Sequence, residues 1–388
     1  MTGVGRFVRS WREFLRFQRR PPALRDIVFY SEGTPYGGFL RPVVESLIEE
    51  HGRSVSYITS DAHDPALWEG AGPFQVYYIS HESARIFLFE MMRAGIVVMT
   101  MPDLNTFHIK RSRYRVHYAH LLHSMVSTHM IYRKGAFDHF DSVLCTGPHQ
   151  VAEIRQWEQL KGLPEKQLFE HGYCPLDLIM EATAHHPGPP PANGPLNVLV
   201  APSWGPEGLL EAWGERVVGV LLDAGHRVHV RPHPRTRQLT STVLDDLDGR
   251  FRGHPNFRLD EDTTDPGPLL DSNVLVSDWS GVALEYAFAL ERPVLFIDVP
   301  RKVNNPDYTR LSAIPLEVDI REQIGAVLAP ERLAEAPRLA KELVDSTKSI
   351  GERAGALRKK WVFNVGAGGR RGAEIILQVL DQLRRAGA

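Results

Sequence analysis

A run of prolines divides this 388-residue chain. In HHPGPPPANGP, residues 185–195, four of the first seven positions are proline. Proline has no backbone N–H and a fixed φ, so this segment enters neither a helix interior nor a central strand. On both sides of it the same grammar repeats, a short apolar run followed by a helical pattern. Before it come DIVFYSEG, SVSYITS, QVYYIS, GIVVMTMP, VHYAHLLHS and SVLCTGP; after it come LNVLVAPSW, RVHVRPHP, NFRLDED, NVLVSDWS and PVLFID. Alternating strands and helices build a mostly parallel sheet with helices on both faces. The length also exceeds one ordinary core. The expectation is an α/β protein of two Rossmann-like domains, 23–180 and 196–355, joined by a linker over 181–195 and facing each other across a cleft. A basic helix over 1–22 precedes them, and a helical tail over 356–388, broken at NVGAGG, follows.

Composition narrows the partners. A formal charge of −2 argues against bulk nucleic-acid binding. Two cysteines, Cys145 and Cys174, form neither a disulfide framework nor a zinc spacing and fit a reducing compartment. No apolar stretch approaches the roughly 18 residues of a membrane span, and the amino terminus lacks the apolar core of a secretory signal. A cytoplasmic protein is expected. Its one charge asymmetry lies in the first 20 residues, where Arg6, Arg9, Arg12, Arg16, Arg19 and Arg20 face only Glu13. Val4, Phe7, Val8, Trp11, Phe14 and Leu15 recur at helical spacing. This pattern fits a helix lying in an anionic membrane surface, with Phe7, Trp11 and Phe14 inserted. It equally fits a helix packed on the domain with its arginines solvated.

Three segments carry chemistry. RPHP, Arg231 to Pro234, ends an alternating strand with a histidine held between prolines, and Arg235 follows. SDWSGVALE, Ser277 to Glu285, turns from an apolar strand into a helix. Asp278 or Ser280 can cap that helix, and Gly281 leaves its backbone open to close approach. Free N–H groups at a helix start suit phosphate, and open α/β sheets bind ligands at the carboxyl ends of their strands. A simple N-cap is the alternative. HLLHSMVSTH, His120 to His129, is the third. On a straight strand His117 and His123 share a face and His120 opposes them. No HExxH helix, acidic cluster or DxD pair accompanies these histidines, so neither metal nor cofactor is expected. His117 and His129 read as packed side chains. The Gly-rich turn GTPYGG, Gly33 to Gly38, follows the first strand and offers Gly37 and Gly38 to the cleft.

These residues resemble the CDP-glycerol glycerophosphotransferase family, the teichoic-acid and capsule polymerase type. RPHP followed by Ser-Asp-Trp-Ser-Gly and an acid at Glu285 is similar to that family's donor-site pattern. GYCPLD, Gly172 to Asp177, is similar to its G-x-P-x-x-D element. Leu122 to Ser124 stand where the family has W-H-G, with the Trp and Gly replaced. The resemblance spans roughly residues 115–375. It implies the GT-B fold and a CDP-alcohol donor such as CDP-glycerol or CDP-ribitol. The acceptor would be a hydroxyl on a surface polymer or glycolipid, and CMP would be released. It implies His123 as base, His233 on the phosphates, and Arg231, Ser277, Asp278, Ser280, Gly281 and Glu285 around the donor, Glu285 on the ribose. Acceptor-side candidates are Gly37, Gly38, His120 and Ser124. Two alternatives remain: a glycosyltransferase using a nucleotide sugar, and a non-catalytic nucleotide-binding subunit of a surface-polymer assembly.

Overall fold

The computed structural model describes residues 3–31, 37–105, 109–191, 193–260 and 265–387. The first sheet contains β1 (Ile27–Ser31), β2 (Val55–Thr59), β3 (Phe74–Tyr78), β4 (Ile96–Met99), β5 (His117–Leu121), β6 (Ser142–Cys145) and β7 (Gln167–Glu170) in the order 3-2-1-4-5-6-7. The second contains β8 (Asn197–Val200), β9 (Arg227–Val230), β10 (Phe257–Leu259), β11 (Val274–Ser277), β12 (Val294–Ile297) and β13 (Gly325–Leu328) in the order 10-9-8-11-12-13. Every strand pairing is parallel.

Strands buried on both faces explain the continuous apolar runs. In β1, Ile27 and Phe29 pack with Leu40, Val43 and Leu47 on one side of the sheet. Val28 and Tyr30 pack with Phe17, Leu88 and Phe89 on the other, the period-2 alternation of a strand. The strand order reverses between β1 and β4, and again between β8 and β11. Crevices beyond the carboxyl ends of such strands are the ligand positions of open α/β sheets.

Two elements differ from the expected segmentation. The helix Thr347–Trp361 runs unbroken through residues 355 and 356, so the tail begins after Trp361. Phe363 then donates its N–H to the Thr146 carbonyl at 2.8 Å. The last helix, Gly368–Gly387, places Ala373, Ile376, Val379 and Leu380 into the core of the first domain. The tail therefore completes the first domain.

The amino-terminal helix, Gly3–Gln18, also departs from one expectation. Its aromatic face does not reach solvent as a unit. Phe14 and Phe17 are buried in the first-domain core, and Trp11 packs edge-on to Phe14 and against Phe87. Insertion of Trp11 and Phe14 into a membrane is excluded by this packing. The outward residues are Val4, Val8 and Leu15, with Phe7 partly turned out.

The domains meet along an apolar seam. Met125, Val126, Tyr173 and Leu176 pack with Leu275, Ala283, Leu284 and Phe288. Buried polar bonds fix its register: Ser127 donates its N–H and hydroxyl to Glu317 at 2.8 and 2.7 Å, and Asn305 donates to the His129 carbonyl at 2.9 Å. Both cysteines are buried and unpaired. Among the described residues, no helix is long and apolar enough to cross a membrane.

Candidate active site at the domain cleft

The segment after β5 is held rigidly from below. Gln150 donates to the carbonyls of Ser124 and Val126 at 2.8 and 3.1 Å. The His149 Nε2 pairs with the Met125 carbonyl at 2.8 Å. Glu153 accepts the N–H and hydroxyl of Thr128, each at 2.6 Å. All three side chains come from the helix Pro148–Lys161. The strand itself stops at Leu121, so the alternation expected through His123 does not extend that far.

His123 leans back toward β4. Its Nδ1 lies 3.0 Å from the Thr100 carbonyl. A carbonyl only accepts, so Nδ1 carries the hydrogen and the lone pair of the neutral ring is on Nε2. Burial pushes this imidazole down to about 4, against a smaller upward pull from the Thr100 hydrogen bond. It is neutral at pH 7. Its ring lies beside Phe39 and Tyr132, with centroids 6.2 and 5.5 Å away.

His233 has the opposite tautomer. It forms the N-cap of the helix Pro234–Leu239, and its Nδ1 accepts the Arg235 N–H at 3.0 Å. An N–H only donates, so the remaining hydrogen sits on Nε2. Burial pushes His233 down to about 4, aided by the positive charges of Lys302 and Arg235.

The third wall is the helix Val282–Leu290. Its start has no side-chain cap. Neither Asp278 nor Ser280 caps it by a side chain; Ala283 and Leu284 instead donate their N–H groups to the Ser280 and Gly281 carbonyls at 3.2 and 3.0 Å, so this start offers an anion chiefly the positive end of the helix dipole. This helix start touches the first domain: a Cβ at Gly281 would come 2.9 Å from Ser124 Oγ. Tyr173 closes the gap one turn on. Its hydroxyl donates to Glu285 at 2.6 Å and lies 3.4 Å from the His123 carbonyl. Burial raises the Glu285 carboxyl, and the Tyr173 hydrogen bond partly offsets this. The motifs around residues 123, 173 and 281–285 thus converge.

Four expected site residues hold the scaffold instead. Asp278 is buried and accepts from Ser203 N–H, Ser203 Oγ and Leu209 N–H at 2.6, 3.1 and 3.2 Å, so it ties down the loop after β8. Ser277 donates to the Ala201 carbonyl at 2.8 Å. Arg231 is paired with Asp260 at 2.9 Å and also with the Asp265 carbonyl. His120 is fully buried, its ring 4.9 Å from Phe140 and 5.0 Å from Phe137. These side chains are engaged in packing and in hydrogen bonds within the scaffold. His117 pairs with Ser142 at 2.9 Å, and His129 lies buried 3.3 Å from Glu153, both as packed side chains.

Gly37 and Gly38 begin the helix Gly37–Glu49, with open space where a Cβ would stand. The rest of the turn, residues 33–36, lies outside the described residues. Sequence reasoning missed Phe39, Tyr173, Trp204 and Lys302. Tyr173 and Trp204 lie inside segments already quoted, GYCPLD and LNVLVAPSW; Phe39 and Lys302 carry no local pattern.

No family model matches the chain, and no curated protein matches it. Solved structures do. The chain is similar to a wall teichoic acid polymerase, TagF, with a TM-score of 0.56 and 14% identity over 100% of both chains. It has the GT-B fold. The UDP-GlcNAc 2-epimerase of Methanocaldococcus jannaschii, in complex with UDP-GlcNAc and UDP, is similar with a TM-score of 0.54 and 13% identity, over 92% of this chain and 99% of that one. The Neisseria meningitidis UDP-GlcNAc 2-epimerase, bound to UDP-GlcNAc, is similar at 0.56 and 13%, with the same coverage. Identities of this order carry the architecture alone.

Proposed function

We propose that this chain transfers a glycerol-phosphate, or a related polyol-phosphate, from a CDP-alcohol to a hydroxyl of a surface polymer or glycolipid. The observation that carries the reading is the opposite proton placement of His123 and His233. One wall offers a lone pair to a hydroxyl proton, and the other offers an N–H to a phosphate oxygen. The start of the Val282–Leu290 helix, which touches Ser124 and has no side-chain cap, adds a positive dipole end suited to an anion.

In the proposed reaction the acceptor oxygen attacks the β-phosphorus while His123 Nε2 takes its proton. The new O–P bond forms as the bond from the β-phosphorus to the bridging oxygen breaks. That oxygen leaves with CMP, which takes the electron pair. The His233 Nε2–H and the positive dipole end of the Val282–Leu290 helix receive the charge on the phosphates. Glu285, fixed by Tyr173, has a second carboxylate oxygen for the ribose. Gly37 and Gly38 open the acceptor side. Arg231, Ser277 and Asp278 hold the loops that shape the donor wall.

An acceptor on a polymer or glycolipid places the enzyme at a membrane. We assign that contact to Val4, Val8 and Leu15 on the outward face of the amino-terminal helix. Arg12 and Arg19 beside them meet anionic headgroups at the inner face.

Purified protein given CDP-glycerol and a soluble hydroxyl acceptor is expected to release CMP. The second reading is transfer from a nucleotide sugar, favoured by the likeness to two UDP-GlcNAc-binding folds. Release of UDP from a UDP-sugar, with CDP-glycerol left intact, would replace the first reading with the second.

A further inference from the structure

Basic side chains outside the proposed reaction gather around Trp204, in the loop after β8. The Lys302 ammonium sits 3.7 Å from the indole centroid and donates to the Trp204 carbonyl at 3.0 Å. The Arg235 guanidinium lies over the same ring at 4.9 Å, and the His233 ring centroid is 6.1 Å away. Among the described residues, neither Lys302 nor Arg235 has a carboxylate within ion-pair distance. Nearby Arg231, by contrast, is paired with Asp260, as Arg321 is with Asp298 and Arg358 with Glu291. Two unpaired cations on one aromatic platform, over the strand ends of the second sheet, form an anion seat. An indole face holds an ammonium in place without neutralising it.

We propose that Lys302, seated on Trp204 with Arg235 beside it, binds the phosphate that departs with the nucleotide and stabilises its growing charge. This rests on the phosphotransfer reading above and adds a catalytic residue to it. As the bond to the bridging oxygen breaks, the leaving phosphate gains one negative charge. A fixed cation at that point lowers the barrier selectively. Lys302 remains protonated throughout and transfers nothing.

The seat has a titration signature. Burial lowers the Lys302 ammonium to about 8; Asp278 and Glu211 pull it up, and Arg235 pulls it down. His233, neutral at working pH, faces it as well. The charge, and the binding it supports, are present below about pH 8 and fade above it. An arginine at this position stays charged far beyond that pH.

The test uses inorganic pyrophosphate as probe and the full chain as protein. Calorimetry at pH 7 is expected to show Lys302→Gln binding pyrophosphate roughly 10- to 100-fold more weakly than wild type, the loss of one charge-assisted contact. Lys302→Arg should retain most of the affinity. CMP release by wild type should fall above about pH 8, and in Lys302→Arg that fall should move to higher pH. Unchanged pyrophosphate affinity in Lys302→Gln overturns the proposal. So does a basic limb that stays put in Lys302→Arg. Loss of pyrophosphate binding in Lys302→Gln, with no CMP release by wild type, leaves the anion seat standing and removes the CDP-alcohol reading instead.

Discussion

At the scale of single residues, the backbone group opposite each imidazole sets its task. His123 faces a carbonyl and must keep its lone pair at Nε2; His233 faces an amide and must keep its hydrogen there. His123→Ala should therefore lower turnover roughly 10²–10⁴-fold with donor affinity nearly intact. His233→Ala should weaken donor binding, measured by calorimetry with CDP. A His123 variant that turns over like wild type removes this residue as base. The acid side of the pH profile carries a second expectation. The base works only when neutral, and its lowered position means kcat/KM should hold as pH falls until about 4. Bound phosphates add negative charge nearby and raise that value, so the acid limb of kcat should lie higher than that of kcat/KM. The histidines were legible in the sequence because prolines and strand ends marked them. The scaffold role of Arg231, Ser277 and Asp278 was not. Their partners Asp260, Ala201 and Ser203 follow other strands, and only the parallel pairing of β9 with β10 and of β8 with β11 brings them together.

At the scale of elements, the site depends on how closely the Val282–Leu290 helix approaches the segment after β5. Gly281 is needed there for space, since its φ of −61° suits any residue. A methyl at this position would meet Ser124 Oγ at 2.9 Å. Gly281→Ala should lower both turnover and the melting temperature, and adding Ser124→Ala should restore the melting temperature by removing the obstructing hydroxyl. Equal melting temperatures for the single and double variants would show that the contact does not set the domain spacing. Tyr173→Phe tests the neighbouring bridge. It leaves a buried carboxyl at Glu285 without its donor, at a cost of about 1–3 kcal/mol. The strands that build this arrangement were mostly readable, because both-face burial writes continuous apolar runs. β7 and β13 were not. β7 is an edge strand with an exposed residue at each end, and the four residues of β13 begin with glycine. Nor could periodicity show that the last helix returns to the first domain, since its apolar stripe fits either core.

At the scale of the whole molecule, the same burial that makes the imidazoles neutral makes the fold sensitive to acid. His123, His171 and His233 are each pushed down to about 4 by burial. Their unfolded value is near 6.5. Below that value the unfolded chain binds more protons, so stability is full above about pH 6.5 and declines toward pH 4. Asp103, Asp177, Glu285 and Glu317, raised by burial, oppose this at the acid end, but burial also lowers His117, His120, His149, His226 and His229, so the histidines outnumber them. Tryptophan fluorescence melts at pH 7 and pH 5 should show the lower midpoint at pH 5. The amino-terminal helix joins this stability to location. Phe17 is fully buried, so removing the helix should lower the melting temperature of the first domain; truncating one such phenylalanine costs about 3–5 kcal/mol. Deletion therefore cannot test membrane contact cleanly. Substituting the outward residues can. Val4, Val8 and Leu15 are 75%, 59% and 46% exposed, so aspartates there leave the packed face intact. The triple variant Val4→Asp, Val8→Asp, Leu15→Asp should melt as wild type does and keep its transfer to a soluble acceptor. It should no longer sediment with anionic liposomes. Replacing Arg12 and Arg19 by glutamine should weaken sedimentation at low salt by roughly 1 kcal/mol per residue, an effect that high salt erases in the wild type too. Sedimentation unchanged in the triple variant would remove this face as the membrane contact, whatever the enzyme does in solution.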